Sequence, residues 1–144
     1  MPTVNFNGYT ISDTEIQNLL QAVADFFQAN VNVTSGDRNH VPKGGSKTSL
    51  HLAKRAADFH VEGIEDMTAN LNIQAFCSAI FAKENGYEFI IHGAYTATGG
   101  PHLHVGRYGS DSIGYVKFKR EGLTAETKNV YELHAKVPLY WTLR

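Results

Sequence analysis

The chain has 144 residues, 42% hydrophobic and 19% charged, with 13 basic against 14 acidic side chains and a formal charge of −1. This suits one folded domain spanning residues 1–144 with a core of its own, and excludes a disordered chain. There is no basic surplus to mark a nucleic-acid partner and no run near the roughly 18 apolar residues of a membrane span; the lone Cys77 rules out an internal disulfide and a cysteine-based zinc site.

Met1 to Gly8 has neither the positive start nor the apolar stretch of a secretory signal. The expectation is cytoplasmic synthesis, with any action outside the cell following non-Sec delivery. Val4 and Phe6 alternate with polar residues before the Asn7-Gly8 turn, a short strand. Ser12-Asp13-Thr14-Glu15 has capping-box spacing with Ser12 as N-cap, and Ile16, Leu19, Leu20, Val23, Phe26 and Phe27 form a helical stripe ending near Ala29. Val31 to Thr34 reads as a strand. Ser35 to Thr48 has no periodicity and reads as a surface loop carrying Arg38, with His40 facing solvent.

Ala56 to Val61 is a second strand. Ile73, Phe76, Cys77, Ile80 and Phe81 predict a helix from Asn72 to Asn85 stopped by Gly86, with Cys77 inside its buried stripe. Glu88 to His92 reads as a core strand, Gly93 to Pro101 as a small-residue loop, and His102 to Val105 as a strand ended by Gly106. Tyr115 to Phe118 is a further strand. The apolar tail from Tyr131 packs on the body without declaring its element type. The sum is an α+β domain, a small central antiparallel sheet with helices packed on one side.

Seven histidines carry the chemistry of this composition. On a strand, His102 and His104 point to the same face roughly 6.6–6.8 Å apart, so one can bind a metal while the other handles a proton. His51 and Asp58, seven apart, fit a ligand in a loop and a second on the following strand. His51, Asp58 and His104 then make a nitrogen/oxygen set for one zinc ion, with the fourth position open to water as in catalytic sites.

Ser49, His51, Ala56 and Asp58 in S-x-H-x-x-x-x-A-x-D, followed by His102-Leu103-His104, resemble the zinc D-Ala-D-Ala carboxypeptidases. That family belongs to the wider group of peptidoglycan metallopeptidases with lysostaphin-like enzymes and the hedgehog fold. Val33 to Arg38 and Gly44-Gly45 also match its habit, so the resemblance covers residues 31–106. It implies a hedgehog/DD-peptidase-like fold with His51, Asp58 and His104 as zinc ligands and His102 as a catalytic residue. Arg38 becomes an oxyanion or substrate-carboxylate contact, and Ser49 a substrate-side residue of the motif.

The implied activity is hydrolysis of a peptide bond in cell-wall stem or cross-bridge peptides, by a carboxypeptidase or an endopeptidase; with no secretory signal read at the start, the expected setting is phage lysis, an injected effector or a cytoplasmic recycling enzyme. His92 stands either behind a metal ligand or in a structural role, Asp37 reads more as a solvated loop acid than as a partner of Arg38, and Tyr95 and Tyr108 either line a substrate groove or are surface tyrosines. The family has glycine where Lys54 stands. Lysine does not readily take a positive φ, so the bend between the ligands is expected to differ. Lys54 is also the feature favouring the rival reading, a non-catalytic binding module of the same fold.

Overall fold

The computed structural model describes residues 1–39, 49–110 and 114–139. His40 and Gly44-Gly45 lie outside the described residues. In chain order the elements are β1 (Val4–Asn5), α1 (Thr14–Phe27), β2 (Val31–Ser35), β3 (Ala56–Val61), α2 (Asp66–Ala75), β4 (Asn85–His92), β5 (His102–Ser110), β6 (Tyr115–Glu121) and β7 (Glu132–Pro138), with short 3-10 turns at Cys77–Ala79 and Ala125–Thr127.

The strands form one seven-stranded sheet in the order β1-β2-β3-β5-β4-β6-β7. It is mixed: β1 runs parallel to β2 and β4 parallel to β6, while the other neighbours are antiparallel. The α+β class stands, but the expectation of a small antiparallel sheet does not. The apolar tail supplies an extra edge strand, β7, and the chain enters through a short parallel strand joined to β2 by α1.

Alternation assigns the two faces. Ala57, Phe59, Val61, Tyr87, Phe89, Ile91, Leu103, Val105, Val116 and Phe118 join Ile16, Leu20, Val23 and Ile73 of the helices in one core. The helices therefore cover one face. Their partners alternate with Asp58, Glu88, Ile90, His92, His102 and His104 on the other face.

The cap of α1 is Asp13, not Ser12. The Asp13 carboxylate accepts from the Ile16 N–H at 3.1 Å, while Ser12 Oγ donates to Asp37 at 2.5 Å. The second helix also lies earlier than Asn72 to Asn85, and Gly86 belongs to β4. Ile73, Cys77, Ile80 and Phe81 are buried as the stripe requires, but a 3-10 turn carries Cys77 and Phe76 is 52% exposed. Apolar spacing reports which side chains go inward, and a helix followed by a tight turn satisfies it as well as one long helix.

Candidate metal centre and active-site cleft

His51 lies in a tight turn. Ser49 Oγ accepts from the His51 N–H at 3.2 Å, and Lys54 N–H closes back onto the His51 carbonyl at 3.1 Å. Lys54 takes φ +60°, the left-handed conformation a glycine would adopt. The premise of the expected difference fails, because this lysine does take a positive φ. The lysine meets the cost by tethering its ammonium to Asn39 Oδ1 at 2.7 Å and to the Arg38 carbonyl at 3.3 Å.

The turn hands His51 to Asp58 on β3, opposite His104 on β5. His51 Nε2 is 2.9 Å from Asp58 Oδ1, His104 Nδ1 is 3.0 Å from the same oxygen, and the two nitrogens are 3.2 Å apart. All three residues are buried. Donors at roughly 2.0–2.2 Å from a tetrahedral ion stand about 3.4 Å apart, so these three need open by only a few tenths of an ångström.

The far side of each ring is already committed. His51 Nδ1 donates to the Gly36 carbonyl at 2.8 Å, and His104 Nε2 to Glu88 Oε2 at 2.7 Å. These bonds aim the remaining nitrogens at a common point and fix their tautomers, as metal-ligating histidines require. Gly36 is needed here, because a Cβ on it would lie 2.3 Å from the Thr10 carbonyl oxygen. The donor set fits a divalent ion.

The electrostatics agree. Burial would raise the Asp58 carboxyl, but hydrogen bonds from His104 and His51 outweigh it and hold its pKa well below the usual range. Burial would lower His104, yet its bonds to Asp58 and Glu88 lift it to about 9. Glu88 is drawn down to about 2, against its own burial, chiefly by His104.

His102 stands beside this group on β5. Its Nδ1 donates to the Gly100 carbonyl at 2.8 Å, and its Nε2 is 3.4 Å from Asp58 Oδ2. Gly100 takes φ +94°, which lets the chain fold back to offer that carbonyl. Arg38 Nη2 bonds Ser35 Oγ at 3.0 Å and Asp58 Oδ2 at 3.3 Å. Asp37 does not serve Arg38; it is tied to Ser12 at the start of α1.

His92 packs behind His102, not behind a ligand: the two rings stack at 4.4 Å, and His92 is 6.4 Å from the His104 ring. Its Nδ1 donates to Glu121 at 2.6 Å, and burial and the neighbouring His102 push its pKa down to about 4. His60 is bound to Asp66 at 2.9 Å.

These residues line a cleft of about 650 Å³ with Arg38, Ser49, Ile90, Thr98, Lys119 and Tyr131. Tyr95 is 52% exposed and not among the lining residues, and Tyr108 bonds Glu88 at 3.1 Å. The sequence reading missed Glu88, Glu121, Lys119 and Tyr131. Only strand parity could have flagged Glu88, which shares a face with His92 four residues on.

A buried pair of imidazoles and a carboxylate, with a third histidine and an arginine in the same cleft, makes a donor set that could hold a metal ion on the sheet face away from the helices. A family model described as Peptidase M15 matches residues 5–92, more than half of the 144-residue chain, and the chain belongs to that family. The matched region contains Arg38, His51, Asp58 and Glu88 and stops before His102 and His104. No curated relative and no solved structure matches the chain. Family and donor set together fit a zinc metallopeptidase.

Proposed function

We propose that the protein is a zinc peptidase that hydrolyses a peptide bond in the stem or cross-bridge peptides of peptidoglycan, as a DD-carboxypeptidase or an endopeptidase. The observation that carries this reading is the convergence of His51 Nε2, Asp58 Oδ1 and His104 Nδ1 within 3.2 Å of one another, in a cleft that also holds His102 and Arg38. Those three atoms would hold the ion. A divalent ion supplies Lewis acidity toward the scissile carbonyl and lowers the pKa of water.

The rest falls to the chain. His102 has its Nδ1 proton engaged by Gly100, which leaves Nε2 as the proton acceptor facing the site. It takes the proton of the attacking water and returns it to the leaving amine. Arg38 keeps guanidinium donors beyond those bound to Ser35 and Asp58. They meet the developing oxyanion in an endopeptidase, or the terminal carboxylate in a carboxypeptidase. Ser49 holds the His51 turn and borders the bound peptide. The left-handed Lys54 weakens the rival reading of a non-catalytic module, which drew on a distorted bend at that position.

The test is incubation of the full chain with peptidoglycan, zinc-loaded and with chelator, and mass analysis of the products. Released D-alanine marks a carboxypeptidase and new internal stem termini an endopeptidase. Absence of any product from the zinc-loaded protein would overturn the proposal.

A further inference from the structure

The cleft does not end at the histidine–aspartate group. Asp58, His104, Ile90 and Lys119 stand in one row across β3, β5, β4 and β6, each paired with the next. In the adjacent row, Glu88, Lys117 and Lys136 are paired across β4, β6 and β7. Lys119 lines the cleft beyond the apolar floor made by Ile90. Its ammonium is 3.7 Å from Glu88 Oε1, and the other oxygen of Glu88 holds His104 at 2.7 Å. The ammonium therefore lies within about 10 Å of the His104 ring, about three residues of extended chain.

Two more ammonium groups follow, each seated on an aromatic ring. Lys117 Nζ lies 5.5 Å from the centre of the Tyr108 ring and 5.8 Å from that of Tyr115, and Lys136 Nζ lies 4.6 Å from Tyr115. The two rings stack on each other at 6.2 Å. A register shift between β4 and β5 at Gly86/Tyr87 leaves Tyr108 without a cross-strand partner, so it is re-aimed toward Tyr115.

Among the described residues, neither Lys117 nor Lys136 has a carboxylate within 4.0 Å. Glu88 is shared among His104, Tyr108 and Lys119. Among the described residues of this patch, three ammonium groups stand against the one carboxylate of Glu88, in a chain whose formal charge is −1, and two of them are seated on rings.

We propose that Lys117, Lys119 and Lys136 on their tyrosine platform form a substrate subsite for a carboxylate, so that the enzyme prefers peptides bearing one about three residues from the bond it cuts. This rests on the peptidase reading of the cleft. Ammonium groups are point charges that accept a carboxylate on a flexible side chain from several directions. The stacked tyrosine rings hold the ammonium groups of Lys117 and Lys136 in place, and a neutral side chain gains nothing from them.

The experiment is calorimetric titration of the full zinc-loaded chain with two capped hexapeptides that differ only in Glu or Gln at the fourth position. The Glu peptide should bind about fivefold to tenfold more tightly at low salt, and the ratio should collapse toward one at 0.5 M salt. The Lys117→Gln/Lys136→Gln double variant should lose most of the preference while keeping its affinity for the Gln peptide, and Lys117→Glu/Lys136→Glu should favour a Lys peptide. Equal binding of both peptides by the wild type, or an undiminished preference in the double variant, overturns the subsite. A Glu preference without cleavage of peptidoglycan supports the subsite and counts against the peptidase reading, whereas cleavage without preference does the reverse.

Discussion

At His104 two hydrogen bonds divide the labour of one imidazole: Nδ1 faces Asp58 and His51, and Nε2 is held by Glu88. A carboxylate on the remote nitrogen fixes the tautomer and makes the near one a better donor. His104→Ala is expected to abolish metal uptake, and Glu88→Gln to weaken it about 10- to 100-fold, both read by metal analysis after dialysis. His102→Ala should keep its metal and lose about 10²- to 10⁴-fold in kcat. If it sheds zinc as readily as His104→Ala, the roles assigned to the pair are wrong. Both histidines were legible because strand parity puts residues two apart on one face. Glu88 was not, because it is a lone acid within β4 and the sequence does not say that β5 lies beside it. Lys54 misled for the opposite reason. A propensity argument prices the left-handed conformation at about 1–2 kcal/mol, and the two tethers that offset the cost exist only in the folded turn.

Among the elements, α1 shows how local and distant requirements meet in one side chain. Asp13 caps the helix and receives Arg107 from the helix-facing side of β5 in a two-pronged pair, Nη2 to Oδ1 at 2.6 Å and Nε to Oδ2 at 3.0 Å. Asp13→Ala removes the cap, worth about 1 kcal/mol, and leaves Arg107 partly buried without its partner. We expect about 2 kcal/mol of destabilisation in denaturant titrations with zinc affinity unchanged, since the pair lies across the sheet from the metal group. A loss of zinc binding in this variant would show that the two faces are not independent. Ser12 and Asp13 are both good caps in isolation. The choice falls to Asp13 because Asp37, distant in sequence, engages the Ser12 hydroxyl. The same limit explains α2, where apolar spacing identified the buried side chains but not the break into a 3-10 turn.

For the molecule as a whole, the buried ionisable groups pull stability in opposite directions with pH. His104 is raised to about 9, so in the chelator-treated protein its contribution is full below about 6.5 and is lost as pH climbs through 9. His92 is lowered to about 4, so the unfolded chain takes up its proton first and stability falls as pH drops from about 6.5 toward 4. Glu88, lowered to about 2, adds a further loss below about 4.5. Denaturant midpoints across pH 4–9 should therefore peak near pH 6.5 and decline on both sides. Zinc affinity should rise with pH up to about 9, because His104 must release a proton to bind. A midpoint that climbs steadily from pH 6.5 to 9 without metal would contradict this assignment.

Taken alone, the sequence determined the α+β class, the strand bearing His102 and His104, the strand bearing Asp58 and the core stripe of α1, because periodicity and side-chain chemistry are local properties; the histidine–aspartate set was picked out by its motif's resemblance to a known family. Strand order, the mixed direction of the sheet, Glu88 behind His104, His92 behind His102 and the lysine–tyrosine row were decided only by the tertiary structure. Each depends on which strands become neighbours, and that choice is made by burial of the shared core under the helices, a sum over distant residues that no short stretch of chain contains.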